Sequence, residues 1–140
     1  MRYVAFALVA LLAAALIFIN ATCEAGISGK AYVDEAVPAI LRSWDASELL
    51  TRATDELRQE MARGEFDASF RRTSRALGPM SEYKGSTGSV KLEFNVPQGR
   101  GATGFFAAEA TFVRGSAKIE VVTVDRGAGW QIAGFRVQPH

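Results

Sequence analysis

From Phe105 to the end, apolar residues recur at every second position. That period of two restricts the chain more than any other feature in it. Phe106, Ala108, Ala110 and Phe112 share one parity, and Gly115-Ser116 supplies a tight turn. Ala117, Ile119, Val121 and Thr123 then alternate with Lys118 and Glu120, and Arg126–Gly129 turns the chain again. This is the pattern of half-buried antiparallel strands joined by short hairpins. In the last strand Trp130 and Ile132 share a face, whereas Phe135 and Val137 have the opposite parity. The break falls at Gly134, which reads as a β-bulge that lets both pairs face the core. A strand over Val90, Leu92, Phe94 and Val96 precedes these, closed by Pro97. Met80–Lys84 is expected as a short edge strand ahead of a Gly85–Ser89 turn, and Gly99–Gly104 as a loop.

Before Ser81 the period is helical. Val37, Ile40, Leu41 and Trp44 fall at i, i+3, i+4 and i+7. Pro38 allows a helix that starts near Asp34, or an earlier one kinked at the proline. Asp45 with Glu48 resembles a capping box opening a short helix, and Thr54 can cap a third piece over Asp55–Met61 that stops at Gly64. Phe66, Phe70, Thr73 and Leu77 share a face of the next helix, which Gly78-Pro79 ends. Arg71, Arg72 and Arg75 lie off that face, where a helix C-terminus and solvent suit them. Helices followed by four antiparallel strands give an α+β domain, a curved sheet wrapped over helices.

At the other end, Tyr3–Ile19 carries no charged or strongly polar side chain. As a helix it would extend about 26 Å, close to the hydrocarbon thickness of a bilayer. With Arg2 before it and small residues after, it reads as a secretory signal or N-terminal membrane anchor that leaves the following residues exported. Three fates fit: an uncleaved anchor, cleavage near Cys23, or acylation of Cys23. The resulting organisation is a signal or anchor over 1–24, a linker over 25–33 that holds Gly26 and Gly29, and the α+β domain over 34–140. The expected location is periplasmic or otherwise extracytoplasmic, at the inner membrane if Tyr3–Ile19 is retained.

Charge and chemistry narrow the function by exclusion. The chain holds 16 Lys and Arg against 15 Asp and Glu, and Arg2 is the one charge before Cys23. The balanced remainder is not expected to bind nucleic acid, which demands clustered positive charge. With a single cysteine, Cys23, and a single histidine, His140, neither a disulfide, a thiolate–imidazole pair nor a cysteine-rich metal site is available. No catalytic residue, metal or cofactor is therefore expected, and the chain reads as a non-enzyme. Gly99-Arg100-Gly101-Ala102-Thr103-Gly104 matches G-x-G-x-x-G, but a strand rather than a helix follows it, so a hairpin loop is the better reading. Asp34/Glu35, Asp45/Glu48 and Asp55/Glu56 suit helix starts as caps and first-turn charges. Glu93, Glu109 and Glu120 with Lys91 and Lys118 suit a solvated sheet face or a docking surface.

The order of Ser43-Trp44-Asp45, Leu77-Gly78-Pro79, Ala110-Thr111-Phe112 and the closing Trp130-Gln131-Ile132-Ala133-Gly134-Phe135 resembles the cystatin-like/NTF2-like cone fold. More narrowly, it is similar to small bacterial exported proteins of the DUF4019-like kind. The resemblance covers about Val37–Pro139 and implies a fold without an activity, since that fold hosts enzymes, ligand carriers and interaction modules alike. Cystatins clamp proteases with a Gln-x-Val-x-Gly hairpin. The nearest string here, Gln131–Gly134, is one residue short and lies inside a strand, so inhibition is not implied. The cone interior would be lined by Trp44, Phe70, Phe94, Phe106, Phe112, Trp130 and Phe135, as a filled core or as a pocket. The expected role is a non-catalytic protein-interaction module with an envelope protein as partner. The alternative is a small-molecule-binding or hydrolytic domain that uses the apolar cone interior.

Overall fold

A computed structural model describes residues 24–93 and 101–140, together with Leu12. Residues 24–41 form a helix, α1. It is followed by α2 (Ala46–Arg52), α3 (Asp55–Ala62), α4 (Glu65–Leu77) and the strands β1 (Met80–Glu93), β2 (Gly101–Phe112), β3 (Gly115–Asp125) and β4 (Trp130–Pro139). The strands form one antiparallel 4-stranded sheet in the order β1-β2-β3-β4. Helices on one face of an antiparallel sheet make the domain α+β. The putting together follows the expected parity. Phe106, Ala108, Ala110 and Phe112 of β2 and Ala117, Ile119, Val121 and Thr123 of β3 are all buried beneath the helices.

Helix α1 lies across that face. Val33, Val37, Ile40 and Leu41 are fully buried on it, and the alanines of β2 and β3 leave it room. The linker expected over residues 25–33 is instead helical. The reason is tertiary. A Cβ on Gly29 would stand 3.1 Å from Phe106 Cζ and 3.3 Å from Trp130 Cζ2, so the glycine is what lets the helix backbone reach those rings. The earlier of the two helix starts is thus realised, with Pro38 inside the helix, where the Asp34 carbonyl loses its usual donor. Arg42 N–H still donates to Pro38 O at 3.0 Å. Trp44, at φ 51°, ends the run.

Short-range signals hold at the next two helices. Asp45 caps α2 by accepting from Ser47 N–H at 2.9 Å, and Thr54 caps α3 by accepting from Leu57 N–H at 3.2 Å. Glu48 does not reach back to close the capping box but pairs with Arg52 one turn on. Gly64, expected as a stop, is the left-handed N-cap residue of α4.

The sheet departs from expectation in four places. Met80–Glu93 is one strand, not a short strand, a Gly85–Ser89 turn and a second strand. Between Tyr83 and Ser86 the register shifts by one residue, and Gly85 sits there at φ 98°. The left-handed glycine makes a bulge rather than a reversal, so β1 can follow the full length of β2. Gly101–Gly104, expected as loop, begins β2, while Phe94, Val96 and Pro97 lie outside the described residues. The β2–β3 hairpin turns at Val113-Arg114, with Gly115 already paired to Phe112. In β4 a bulge is present, but the extra residue is Ala133. Val122 opposes Gly134 and Thr123 opposes Ile132, which brings Ile132 and Phe135 both into the core. Gly134 is absent from the left-handed positions. Among the described residues no helix is long and apolar enough to cross a membrane. Apart from Leu12 and Glu24, the expected signal segment lies outside them.

Candidate functional site

Strand β4 is an edge of the sheet. Beside it runs α4, whose period-3.6 face carries Phe66, Ser69, Phe70 and Thr73. Between the two lies an open groove of about 290 Å³, bounded on the strand side by Phe135, Arg136 and Val137 and floored by Trp44. Its aromatic floor is ordered by contacts on every side. The Trp44 ring meets Phe70 edge-on at 5.2 Å and 69°, and Phe112 lies behind it at 5.5 Å. Phe66 stacks on Phe70 at 5.8 Å. Trp44 Nε1–H donates to the Gly78 carbonyl at 2.7 Å, so the one polar atom of the ring is satisfied and its edge is fixed. Arg114 pins the end of α4 by donating through Nη2 to Arg75 O at 2.5 Å and through Nε to Ala76 O at 3.3 Å. The left-handed Gly78 leaves space for that guanidinium, which a Cβ would meet at 3.3 Å.

Of the seven residues expected to line the interior, Trp44, Phe70 and Phe135 converge on this groove. Phe112 backs it. Phe106 and Trp130 meet α1 instead, where Trp130 is only half-buried and donates Nε1–H to Ser28 Oγ at 2.8 Å. Phe94 lies outside the described residues. Sequence periodicity placed Val137 with Phe135 on the inward face but gave no signal for Ser69 or Arg136 as lining residues, because the groove exists only where a helix and a strand distant in sequence come together. The shared face of Phe66, Phe70 and Thr73 on α4, with Trp44 and Phe135 among the expected aromatic lining, was the available sign.

Among the described residues the edge of β4 is covered at one end only. Thr54 N–H, at the start of α3, donates to Ile132 O at 2.9 Å, and Ala53 bridges Ile132 in parallel. Further along, His140 N–H donates inward to Ser116 O at 3.0 Å. Backbone groups alternate in direction along an antiparallel strand. Gln138 and Arg136 therefore also point to β3, and the N–H and C=O of Phe135 and Val137 point off the edge into the groove. Pro139, which has no N–H to offer, falls on the same outward parity.

A polar cluster sits on the opposite side of the helical layer. Asp34, expected near a helix start, is in mid-helix and faces β1. Its Oδ1 accepts from Tyr83 Oη at 2.6 Å and from Ser86 Oγ at 2.7 Å, and its Oδ2 from Lys30 Nζ at 2.5 Å. Burial by itself pushes this carboxyl up, but the donors from Lys30, Tyr83 and Ser86 outweigh it and hold Asp34 below the usual carboxylate range. Burial, then the Asp34 carboxylate, push the Tyr83 phenol well above the ordinary tyrosine range. An ionised carboxylate held by three donors is a weak base, and the arrangement fits a tie between α1 and β1. Among the described residues no group of three or more His, Cys, Asp or Glu is placed to hold a metal ion.

Among the described residues nothing covers the far face of the sheet. Phe105, 54% exposed, lies in register with Val122, with Val124 two residues further along β3 on the same face. Glu109 opposes Lys118, and Glu120 opposes Arg136. Glu109 also meets His140 Nε2 at 2.9 Å. Comparison of the chain with known protein-family models, with curated proteins and with solved structures finds no match.

Proposed function

We propose that this chain is an exported, non-catalytic interaction domain of the bacterial envelope, with a cystatin/NTF2-like cone architecture. It is held at the membrane by Tyr3–Ile19 or released by cleavage behind that segment. One observation carries the interaction reading: a groove with an aromatic floor opens directly beside an unpaired strand edge, and among the described residues its lining holds no carboxylate, imidazole or thiol. Unpaired strand edges are pairing templates, and natural sheets ordinarily blunt them with charges, bulges or a covering element. Among the described residues the cover here stops at Ile132, and beyond the bulge at Ala133 the stretch from Phe135 to Pro139 pairs regularly with β3 and leaves its outer side open.

The alternative, a ligand-binding or hydrolytic domain using the cone interior, has less support. The space between helices and sheet is filled by Ile40, Leu41, Leu49, Ile119, Val121 and Ile132, all at most 1% exposed. The carboxylate nearest to an inward position, Asp34, is engaged by three donors.

Photo-crosslinking in intact cells of the native host tests the reading. A crosslinking residue at Ser69 reports the groove and one at Phe105 reports the open sheet face. A discrete stoichiometric adduct from either position is expected. Monomeric protein without an adduct at both positions overturns the proposal. The intact mass of the native protein and its fractionation decide between tethered and released forms.

A further inference from the structure

The geometry points to a defined occupant for the groove: an extended peptide that adds as a fifth strand to β4 and carries an apolar–acidic–apolar triplet. This rests on the interaction reading above and names the chemistry of the partner.

The two outward residues, Phe135 and Val137, offer two N–H donors and two C=O acceptors at strand spacing. Among the described residues no backbone group outside the sheet bonds to either of them. From Phe135 to Pro139 the open edge runs about 17 Å, the length of about five extended residues. Main-chain pairing along such an edge gives affinity, and alternate side chains give specificity.

The specificity follows from the pleat. Residues directly opposite each other across a ladder project to the same face. Peptide residues opposite Phe135 and Val137 therefore send their side chains into the groove, against Trp44, Phe66 and Phe70. The groove's volume of about 290 Å³ suits valine- to leucine-sized groups there. The residue between them lies opposite Arg136 and projects to the far face with it. Arg136 is exposed, and among the described residues no carboxylate lies within ion-pairing distance of it. Glu120, its register partner on β3, is drawn to Lys118 at 3.1 Å. A guanidinium flanked by an engaged glutamate on one side and an open edge on the other selects an acidic residue at that place in the incoming strand. The α4 wall restricts the occupant to one strand, since the helix closes the groove opposite the edge.

The test uses the whole chain in detergent micelles and a blocked pentapeptide, Thr-Leu-Asp-Leu-Thr. Its comparisons are the same peptide with Lys for Asp, and a peptide with the leucines adjacent. The expected result is saturable binding, weakened at least tenfold by the lysine exchange. Amide exchange at Phe135 and Val137 should slow at least tenfold on binding, while Arg136 and Gln138, already bonded to β3, stay unchanged. Val137→Pro removes one outward donor without touching the β3 ladder and should abolish binding. Ser69→Trp, at an exposed position of α4, fills the groove and should do the same should the proline variant fail to fold. Absence of binding at millimolar peptide, or binding indifferent to Ser69→Trp, overturns the inference. Self-association of the chain that Ser69→Trp abolishes overturns it in favour of a second copy as the occupant. Adducts at Phe105 with no peptide binding would leave the interaction reading standing on the other face and refute this one.

Discussion

Thr54 ties α3 to β4: its backbone N–H donates to Ile132 O at 2.9 Å, and its side-chain oxygen caps α3 through Leu57 N–H at 3.2 Å. The residue is 1% exposed, so neither bond can be replaced easily by water. Thr54→Ala keeps the first and loses the second. It is expected to lower stability by about 1–2 kcal/mol, the upper part of the range for N-cap loss. Denaturant unfolding with an unchanged slope would measure it. Ser47→Ala, at an exposed cap partner, should shift the midpoint much less.

The Asp34 cluster sets a pH dependence with two limbs. The folded carboxyl titrates below its unfolded value, so its contribution is present above about pH 4 and is lost as pH falls through the folded value. Tyr83 titrates above its unfolded value, so its contribution is complete below about pH 10 and is lost as pH rises further. Thermal melts across pH should fall off on both sides. Asp34→Asn should flatten the acid limb in part, because Asp45 and Glu56 also titrate low, the first through the Ser47 side chain and the second chiefly through its own backbone amide. Tyr83→Phe should flatten the alkaline limb and cost about 1–2 kcal/mol near neutrality, a charge-assisted hydrogen bond discounted for partial exposure.

Gly88 and Gly134 both sit in strands but should respond to alanine with very different losses. A Cβ at Gly88 would lie 2.1 Å from Phe105 O and 2.8 Å from Phe106 Cα, both backbone atoms of β2. Strand separation would have to yield, and a loss of about 3 kcal/mol or more is expected. At Gly134 the nearest atoms are Val122 Cβ and Cγ2 at 3.4 Å, an ordinary contact on the open face. Gly134→Ala should therefore melt within about 2–4 °C of the parent, less than 1 kcal/mol for a domain of this size.

Thr123 is fully buried, and its Oγ1 finds no hydrogen-bond partner among the described residues. Thr123→Val replaces the hydroxyl with a methyl in nearly the same volume. It should be neutral or stabilising by up to about 1–2 kcal/mol, since a stranded buried hydroxyl costs that order. A clear drop in the melting temperature would mean that the hydroxyl has a partner in solution.

Trp130→Ala should cost about 2 kcal/mol, less than the loss expected for a fully buried ring. The sequence placed Trp130 with Ile132 on the core face, and the parity is right. What it could not convey is that β4 begins there, so the indole covers Gly29 from the rim and donates to Ser28. Features that depend on neighbours in sequence were legible: the caps at Asp45 and Thr54, the α4 face, the inward parity of β2 and β3, and a bulge near Gly134. Features set by distant residues were not. Asp34 reads as a helix-start charge until Tyr83 and Ser86, 49 and 52 positions away, are seen to bond it. Gly85 reads as a turn because a left-handed glycine serves turns and bulges equally. The groove followed the same logic. Its aromatic side was visible in Phe66, Phe70 and Trp44, but its open edge became visible only with the strand order.

That strand order has a kinetic consequence. Every ladder of the sheet closes between chain neighbours, so each hairpin can zip onto the last without a long loop being closed first. The costly closure is the return of α1, whose Gly29 must find Trp130 across nearly the whole described chain. Formation of the sheet is thus expected to precede docking of α1. Until α1 arrives, the row Phe106, Ala108, Ala110 and Phe112 stands in water, making this the interval in which the nascent domain is most prone to aggregate.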